Sequence, residues 1–291
     1  MSKKLGTIDT ICAGYDTLSD TERRVADFIL QNGGEIPRLS VREIAEGSQT
    51  SSATVSRFVR HAGYESFSAL RLAIAEEQGV IEDDGSFPAA TEISPDNAAG
   101  SIEYILATKI QELRGTALQL EPQLVNSVVD LIRWADTVEF AAVGNSIPLC
   151  SNLSFKLGQI GIRTICPPTT EAMILASLSL RRGDVLFVVS ASGYSRRLET
   201  IVDNAEDSGA TIVFVTSNPT SELAQRADVV LSAVSRDQML AGSQFSSHIS
   251  TDFVLETLFL FVFAGGGATH EHARMERKSL GKDKESTPTF S

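Results

Sequence analysis

Gly47-Ser48-Gln49-Thr50-Ser51-Ser52-Ala53-Thr54-Val55-Ser56-Arg57-Phe58-Val59-Arg60-His61 reads as a hydroxyl-rich turn that launches a helix. Val55, Phe58, Val59 and Ala62 fall at i, i+3, i+4 and i+7, so they share one apolar face and turn Ala53, Thr54, Ser56, Arg57 and Arg60 to the other. Ser51 stands where a side-chain oxygen can cap the first turn, leaving free N–H groups and the positive dipole end toward a phosphate. Short side chains at Ser52, Ala53, Thr54 and Ser56 would let the helix backbone enter a major groove roughly 12 Å wide, while Arg57 and Arg60 reach guanine edges or flanking phosphates. The stretch therefore predicts a DNA-reading helix-turn-helix, with Ser51, Ser52, Ala53, Thr54, Ser56, Arg57 and Arg60 as its contacts. An ordinary helical bundle with a Ser/Thr/Arg surface would show the same periodicity.

The flanking sequence supplies the rest of a bundle. Ser19 and Glu22 form a capping-box pattern ahead of Val25, Phe28 and Ile29, and Asn32-Gly33-Gly34 with Pro37 closes that helix. A short helix follows from about Ser40, with Val41, Ile44 and Ala45 inward. Gly63 stops the reading helix, and Phe67, Leu70 and Ile74 mark another, with Arg71 left free and the bundle ending near Gln78. We therefore expect a helix-turn-helix domain over 1–78 and an acidic linker over 79–97, where Glu82-Asp83-Asp84-Gly85-Ser86, Pro88 and Pro95 show no periodicity.

Beyond the linker, 98–120 and 122–134 read as helices, and from Thr137 the texture changes to short β-rich runs. Val138 to Val143, Val185 to Val189, Thr211 to Thr216 and Val229 to Ala233 alternate with helix-length segments, the pattern of a parallel sheet covered on both faces. Ligands in such folds bind beyond the carboxyl ends of the strands. There Ser190, Ser192 and Ser195 surround Gly193 just before a helix that starts near Arg197, and Asn145 and Ser146 follow the first strand. Hydroxyls, a close backbone approach and a helix N-terminus together make an anion-binding loop. Thr216-Ser217-Asn218-Pro219 adds a third loop at the same edge. A single Ser/Gly-rich loop would be no more than a tight turn with capped helix ends, but three that converge favour a ligand pocket. Residues 98–266 are thus expected to form the second domain and 267–291 a polar, disordered tail.

Composition bounds these readings. The chain has 291 residues, 42% of them hydrophobic, enough for two cores, and a net charge of −12 that argues against indiscriminate nucleic-acid binding. Any DNA contact must use a local patch, for which Arg38, Arg42, Arg57, Arg60 and Arg71 are available. The most apolar run, Phe253 to Ala264, is interrupted by Glu256 and is shorter than the roughly 20 residues of a bilayer span. The 3 cysteines, Cys12, Cys150 and Cys166, lack metal-ligand spacing, and no signal-peptide pattern follows Lys3-Lys4. The expectation is a cytoplasmic protein with no membrane partner, no metal and no cofactor.

Two sets of residues carry a family resemblance. Glu43-Ile44-Ala45, Ser51 to Arg57, Gly63-Tyr64, Phe67, Leu70 and Arg71 resemble the N-terminal helix-turn-helix of RpiR-type transcriptional regulators. Ala142-Val143-Gly144-Asn145-Ser146, Ser190 to Ser195 and Thr216 to Pro219 resemble successive strand-end loops of the sugar isomerase (SIS) domain that this family carries C-terminally. The sequence departs from the family at Gln49, where Gly is usual, at Ala142, where a Gly is also usual, and at Pro148; the last two imply a narrower pocket. The resemblance implies an α plus α/β chain: an all-α helix-turn-helix bundle and a three-layer αβα SIS domain with a parallel sheet. It further implies a homodimeric or homotetrameric regulator of carbohydrate-metabolism genes that binds double-stranded DNA and a phosphorylated sugar, the latter at Asn145, Ser146, Ser190, Ser192, Gly193 and Ser195.

The alternative is a sugar-phosphate isomerase with an accessory helical domain. That chemistry needs a positioned base, for which Glu171 and His248 are the candidates near the strand ends, and neither lies in a recognisable acid/base motif. A metabolite-responsive protein adaptor is a further reading that the negative charge suits. No catalytic residue is assigned.

Overall fold

The first helices form where capping and apolar spacing coincide. A computed structural model describes residues 6–81, 93–236, 247–266 and 268–280, and contacts divide the chain into Met1–Gln119 with Val234–Ser250 and Leu120–Ala233 with Thr251–Ser291. In the first unit, α1 (Thr7–Gly14), α2 (Asp20–Gln31), α3 (Val41–Gly47), α4 (Ser52–His61) and α5 (Phe67–Ile81) surround one core. Capping boxes start α2 at Ser19/Glu22 and α3 at Ser40/Glu43, satisfying N–H groups that a helix start otherwise leaves unpaired. Val25, Ile29, Ile44, Val55, Phe58 and Leu70 are all fully buried at 0% exposure, which is what holds the reading helix against its neighbours. Helix α1 was not legible from periodicity; it adds Ile11 and Cys12 to the core and is tied to the loop after α4 by Tyr64 Oη donating to Thr7 Oγ1 at 2.8 Å.

The turn between α3 and α4 is a Schellman motif: Thr50 N–H bonds to Ala45 O at 2.8 Å and Gln49 N–H to Glu46 O at 3.1 Å. That motif needs a left-handed residue, and Gln49, with φ 52°, is the one non-glycine with positive φ among the described residues. The turn is therefore not reshaped to suit Gln. A glycine is nevertheless needed two residues earlier, because a Cβ on Gly47 would run into the Phe28 ring of α2.

Helix α6 (Ala98–Gln119), which the sequence placed with the second domain, groups by contact with the first unit. Its Thr116 Oγ1 accepts from Val234 N–H at 3.0 Å, and its Glu112 Oε1 accepts from Arg236 N–H at 2.6 Å. The expected linker lies largely outside the described residues: α5 runs through Ile81, and a short turn over Pro95–Asn97 leads into α6.

The second unit contains α7 (Pro122–Trp134), β1 (Val138–Ala142), α8 (Ile147–Gln159), β2 (Thr164–Ile165), α9 (Thr170–Ser177), β3 (Val185–Val189) and α10 (Arg196–Ser208). They are followed by β4 (Thr211–Thr216), α11 (Glu222–Gln225), β5 (Val229–Ser232), α12 (Ile249–Ala264, all but its first two residues) and α13 (Ala268–Leu280). The strands pair in parallel in the order β2-β1-β3-β4-β5. Phe140, Phe187, Val213 and Leu231 pack with Val128, Leu153 and Leu258 on one face, while Leu186, Val188, Ile212 and Phe214 pack with Ile201, Val202 and Leu223 on the other. Both faces are covered, as the near-continuous apolar strands require. Residues 268–280 correct the expectation of a tail: they form α13, with Ala273 packed on the core and His270 set against the Phe263 ring at 4.6 Å. The polar composition there belongs to a surface helix; residues 281–291 lie outside the described residues.

One buried group opposes this core. Glu139 on β1 is 2% exposed, its Oε1 has no hydrogen-bond partner, and burial first, then the nearby Asp184, pushes its carboxyl up to about 7. The unfolded chain ionises Glu139 near 4.5 but the fold holds the proton until about 7, so stability is lost as pH rises across that window, by about 3 kcal/mol. Urea unfolding from pH 5 to 8 should therefore show a steeper loss for the wild type than for Glu139→Gln, and parallel profiles would contradict this. In thermal unfolding, Gln49→Gly should stabilise, relieving ~1–2 kcal/mol of left-handed strain against a smaller chain-entropy loss, whereas Gln49→Ile should destabilise; the reverse order would contradict the turn geometry.

Candidate functional site

In the first unit the reading helix presents its polar side to solvent. Ser51 caps α4 by accepting from Thr54 N–H at 3.1 Å, and Ser51, Ser52, Ala53, Ser56, Arg57 and Arg60 are exposed. Thr54 departs from expectation: it is 5% exposed, with its hydroxyl 3.0 Å from Ser51 Oγ and 3.4 Å from an Arg57 guanidinium nitrogen. It precedes Val55 on the edge of the apolar face, where the hydroxyl serves the helix cap. The long side chains lie back along the helix, Arg60 Nε donating to Ser56 O at 3.2 Å. Of the other arginines proposed for a basic patch, Arg42 pairs with Glu46 at 2.8 Å with both side chains exposed, and Arg71 is half-buried. The side chain of Arg38 lies outside the described residues.

In the second unit the strand order reverses between β1 and β3, so the chain leaves their carboxyl ends in opposite directions, the place where open parallel sheets bind ligands. The turn Gly144–Ser146 follows β1, with Asn145 exposed and Ser146 buried. Pro148 sits in the first turn of α8, where a missing N–H costs nothing. Ala142, expected to narrow the loop, instead packs its methyl into the core at 0% exposure.

The Ser190–Ser195 loop follows β3 and leads into α10. Ser195 is the N-cap residue yet makes no side-chain cap bond, so the first-turn N–H groups of α10 remain available to an anion. Ser192 Oγ accepts from Tyr194 N–H at 3.3 Å, and Gly193 adopts φ 68° where a Cβ would strike the Ser221 hydroxyl and approach Asn218 O to 3.3 Å. The third loop braces the second: Thr216 Oγ1 donates to Ala191 O at 3.1 Å, Ser217 N–H to Ala191 O at 3.1 Å and Asn218 Nδ2 to Ser192 O at 3.4 Å. Thr216 and Asn218 are thus committed to holding the backbone.

Sequence reading missed the N-terminus of α9 at this edge. Thr169 caps it, and Thr170, 4% exposed, donates to Ala142 O at 3.2 Å, joining α9 to the end of β1. A Thr-Thr pair before an apolar helix was the available signal. Glu171 follows and pairs with Arg197 of α10 at 3.0 Å, with both side chains more than half exposed. His248 belongs by contact to the first unit. Among the described residues no His/Cys/Asp/Glu group could hold a metal ion, and no helix is long and apolar enough to cross a membrane.

Comparison with known proteins matches both units. Residues 5–79 fit the helix-turn-helix domain of the rpiR family, and residues 131–261 fit the SIS domain. The structure of the Vibrio vulnificus NanR protein complexed with ManNAc-6P is similar with a TM-score of 0.57 and 21% identity, covering 95% of this chain and 98% of that one. The sugar isomerase domain of an RpiR transcription factor from Sphaerobacter thermophilus is similar with a TM-score of 0.55 and 24% identity, covering 62% of this chain and 98% of that one. Those likenesses establish the fold, and the two domain matches show a helix-turn-helix domain of the rpiR family followed by a SIS domain along one chain.

Proposed function

We propose that this chain is a DNA-binding transcriptional regulator of carbohydrate-metabolism genes whose affinity for its operator is set by a phosphorylated sugar bound at the sheet edge. The observation that carries the reading is the uncapped start of α10 behind the Ser190–Ser195 loop, at the strand-order reversal, in a chain whose other unit is an rpiR-type helix-turn-helix. The phosphate is received by the α10 N–H groups with Ser190, Ser192 and Ser195, Gly193 permits the close approach, and Asn145 and Ser146 meet the sugar from the β1 side. ManNAc-6P, with which the similar NanR protein is complexed, gives the chemical class with which to start.

DNA is read by Ser51, Ser52, Ala53, Ser56, Arg57 and Arg60, with Thr54 supporting the cap. With a net charge of −12 the chain as a whole repels a duplex, so affinity must come from this local face and from two copies acting together. Helix α6 suits that pairing: Ile102, Leu106 and Ile110 are 65%, 58% and 38% exposed along one side, an apolar stripe that a second copy would cover. The protein then works in the cytoplasm as a homodimer or a larger homo-oligomer.

The isomerase reading is weaker. Its candidate base Glu171 is exposed and paired with Arg197, and it lies in no recognisable acid/base motif. Turnover of a sugar phosphate, lost in Glu171→Gln, would favour the enzyme.

Binding to duplexes selected from a random pool should weaken steeply with salt, and Arg57→Ala or Arg60→Ala should each cost ~1–3 kcal/mol of affinity. Salt-independent binding, or unchanged affinity in both variants, would exclude α4 as the reader. In thermal unfolding, ManNAc-6P or another hexose or hexosamine phosphate at about a hundred times its dissociation constant should add roughly 2.7 kcal/mol of stability. Gly193→Ala should abolish that gain, since its methyl collides with Ser221; a gain that survives the substitution would move the site elsewhere.

A further inference from the structure

Asp9, Glu112 and Arg236 come from three distant stretches of chain and are buried together in the first unit, at 6%, 1% and 8% exposure. Arg236 Nε donates to Asp9 Oδ1 of α1 at 2.9 Å, while its backbone N–H donates to Glu112 Oε1 of α6 at 2.6 Å. Lys109 Nζ lies 2.8 Å from Glu112 Oε2, and Val234 N–H donates to Thr116 Oγ1 at 3.0 Å. A charged cluster of this kind adds little stability over apolar packing of the same volume, because desolvation offsets most of the attraction. Its distinctive effect is on geometry: apolar surfaces can slide past one another, whereas a buried guanidinium held at fixed hydrogen-bond distances permits one register.

The position of Arg236 along the chain makes that register consequential. It follows Ser232, the last residue of β5, by four positions, and β5 pairs with β4, whose end braces the Ser190–Ser195 loop. Residues 234–250 fall inside the SIS match yet group by contact with the unit that carries the helix-turn-helix.

We infer that Arg236 is a positioning residue for DNA recognition: bonded to Asp9 on α1 and to Glu112 on α6, it locks the helix-turn-helix bundle onto α6 within the first unit. The inference rests on the DNA-binding reading above. Each reading helix is thereby held at a fixed orientation to α6, the helix proposed above to pair two copies, which is what two half-sites about one helical turn apart demand. A bundle that has lost the lock still reads one half-site but no longer gains from the second.

The test uses the full chain and a duplex selected by the wild type from a random pool, either intact with two half-sites or cut to one. Arg236→Gln and Asp9→Asn should weaken binding to the two-half-site duplex about tenfold or more while leaving one-half-site binding within about twofold, and Arg236→Lys should restore most of the loss. Equal weakening on both duplexes, or none on either, overturns the lock. Should Arg236→Gln fail to fold by circular dichroism, Asp9→Asn, nearly the same in shape, decides the matter by the same comparison. A wild type that selects no duplex sinks the DNA-binding reading and the lock with it; a wild type that binds, with variants that do not distinguish the two duplexes, sinks the lock alone.

Discussion

The parallel sheet must reverse its strand order somewhere, and that reversal, between β1 and β3, governs the second unit. Right-handed crossovers cover one face until the order turns and then cover the other, so the chain leaves two neighbouring strand ends in opposite directions. Every polar group assigned to ligand binding lies on the loops at those two ends. At the end of the neighbouring strand β4 and in the loop after it, Thr216 and Asn218 brace the site instead, bonded to Ala191 O and Ser192 O. A rigid third loop behind a glycine with positive φ keeps the Ser190–Ser195 backbone poised, which lowers the cost of ordering it around an anion.

The first unit answers to a different constraint. Helix α4 is ten residues long, too short to persist alone, and it exists because Val55, Phe58 and Val59 are clamped by α2 and α3. That clamp leaves Ser52, Ser56, Arg57 and Arg60 outside by geometry. The strained Gln49 and the bare Gly47 belong to the same compromise between turn and core: one accepts an unfavourable conformation and the other gives up a side chain so that α3 can approach Phe28. Strain held in place by surrounding packing is tolerated where it sets the angle between two elements.

Much of this was legible from residue pattern. The apolar runs at 138, 185, 211 and 229 are strands because both faces are buried, and the i, i+3, i+4 spacing around Phe58 fixed which side of α4 faces out. What escaped did so for physical reasons. β2 is two residues at a sheet edge, Thr164 and Ile165, too short to carry a period. Helix α1 buries Thr7 and Asp9 along with Ile11, so its inner face does not look apolar. Helix α6 is the extreme case, with Ser101, Thr108, Glu112 and Thr116 inward and Ile102 and Leu106 outward, so its pattern hides its partner. Thr54 was expected on the outer face but is 5% exposed, because its hydroxyl turns to Ser51 at the helix cap. Helix α13 was hidden by polar composition.

Linkage between two sites on one chain is what makes such a protein a regulator, and a pair of titrations on the full-length chain reads it. One gives the operator dissociation constant with and without saturating ManNAc-6P or the best-bound hexose phosphate; the other gives the sugar-phosphate dissociation constant with and without operator. Because coupling is reciprocal, the same factor should appear in both, in the range of roughly 5- to 150-fold. A factor of one in each, with both ligands bound independently, would contradict linkage.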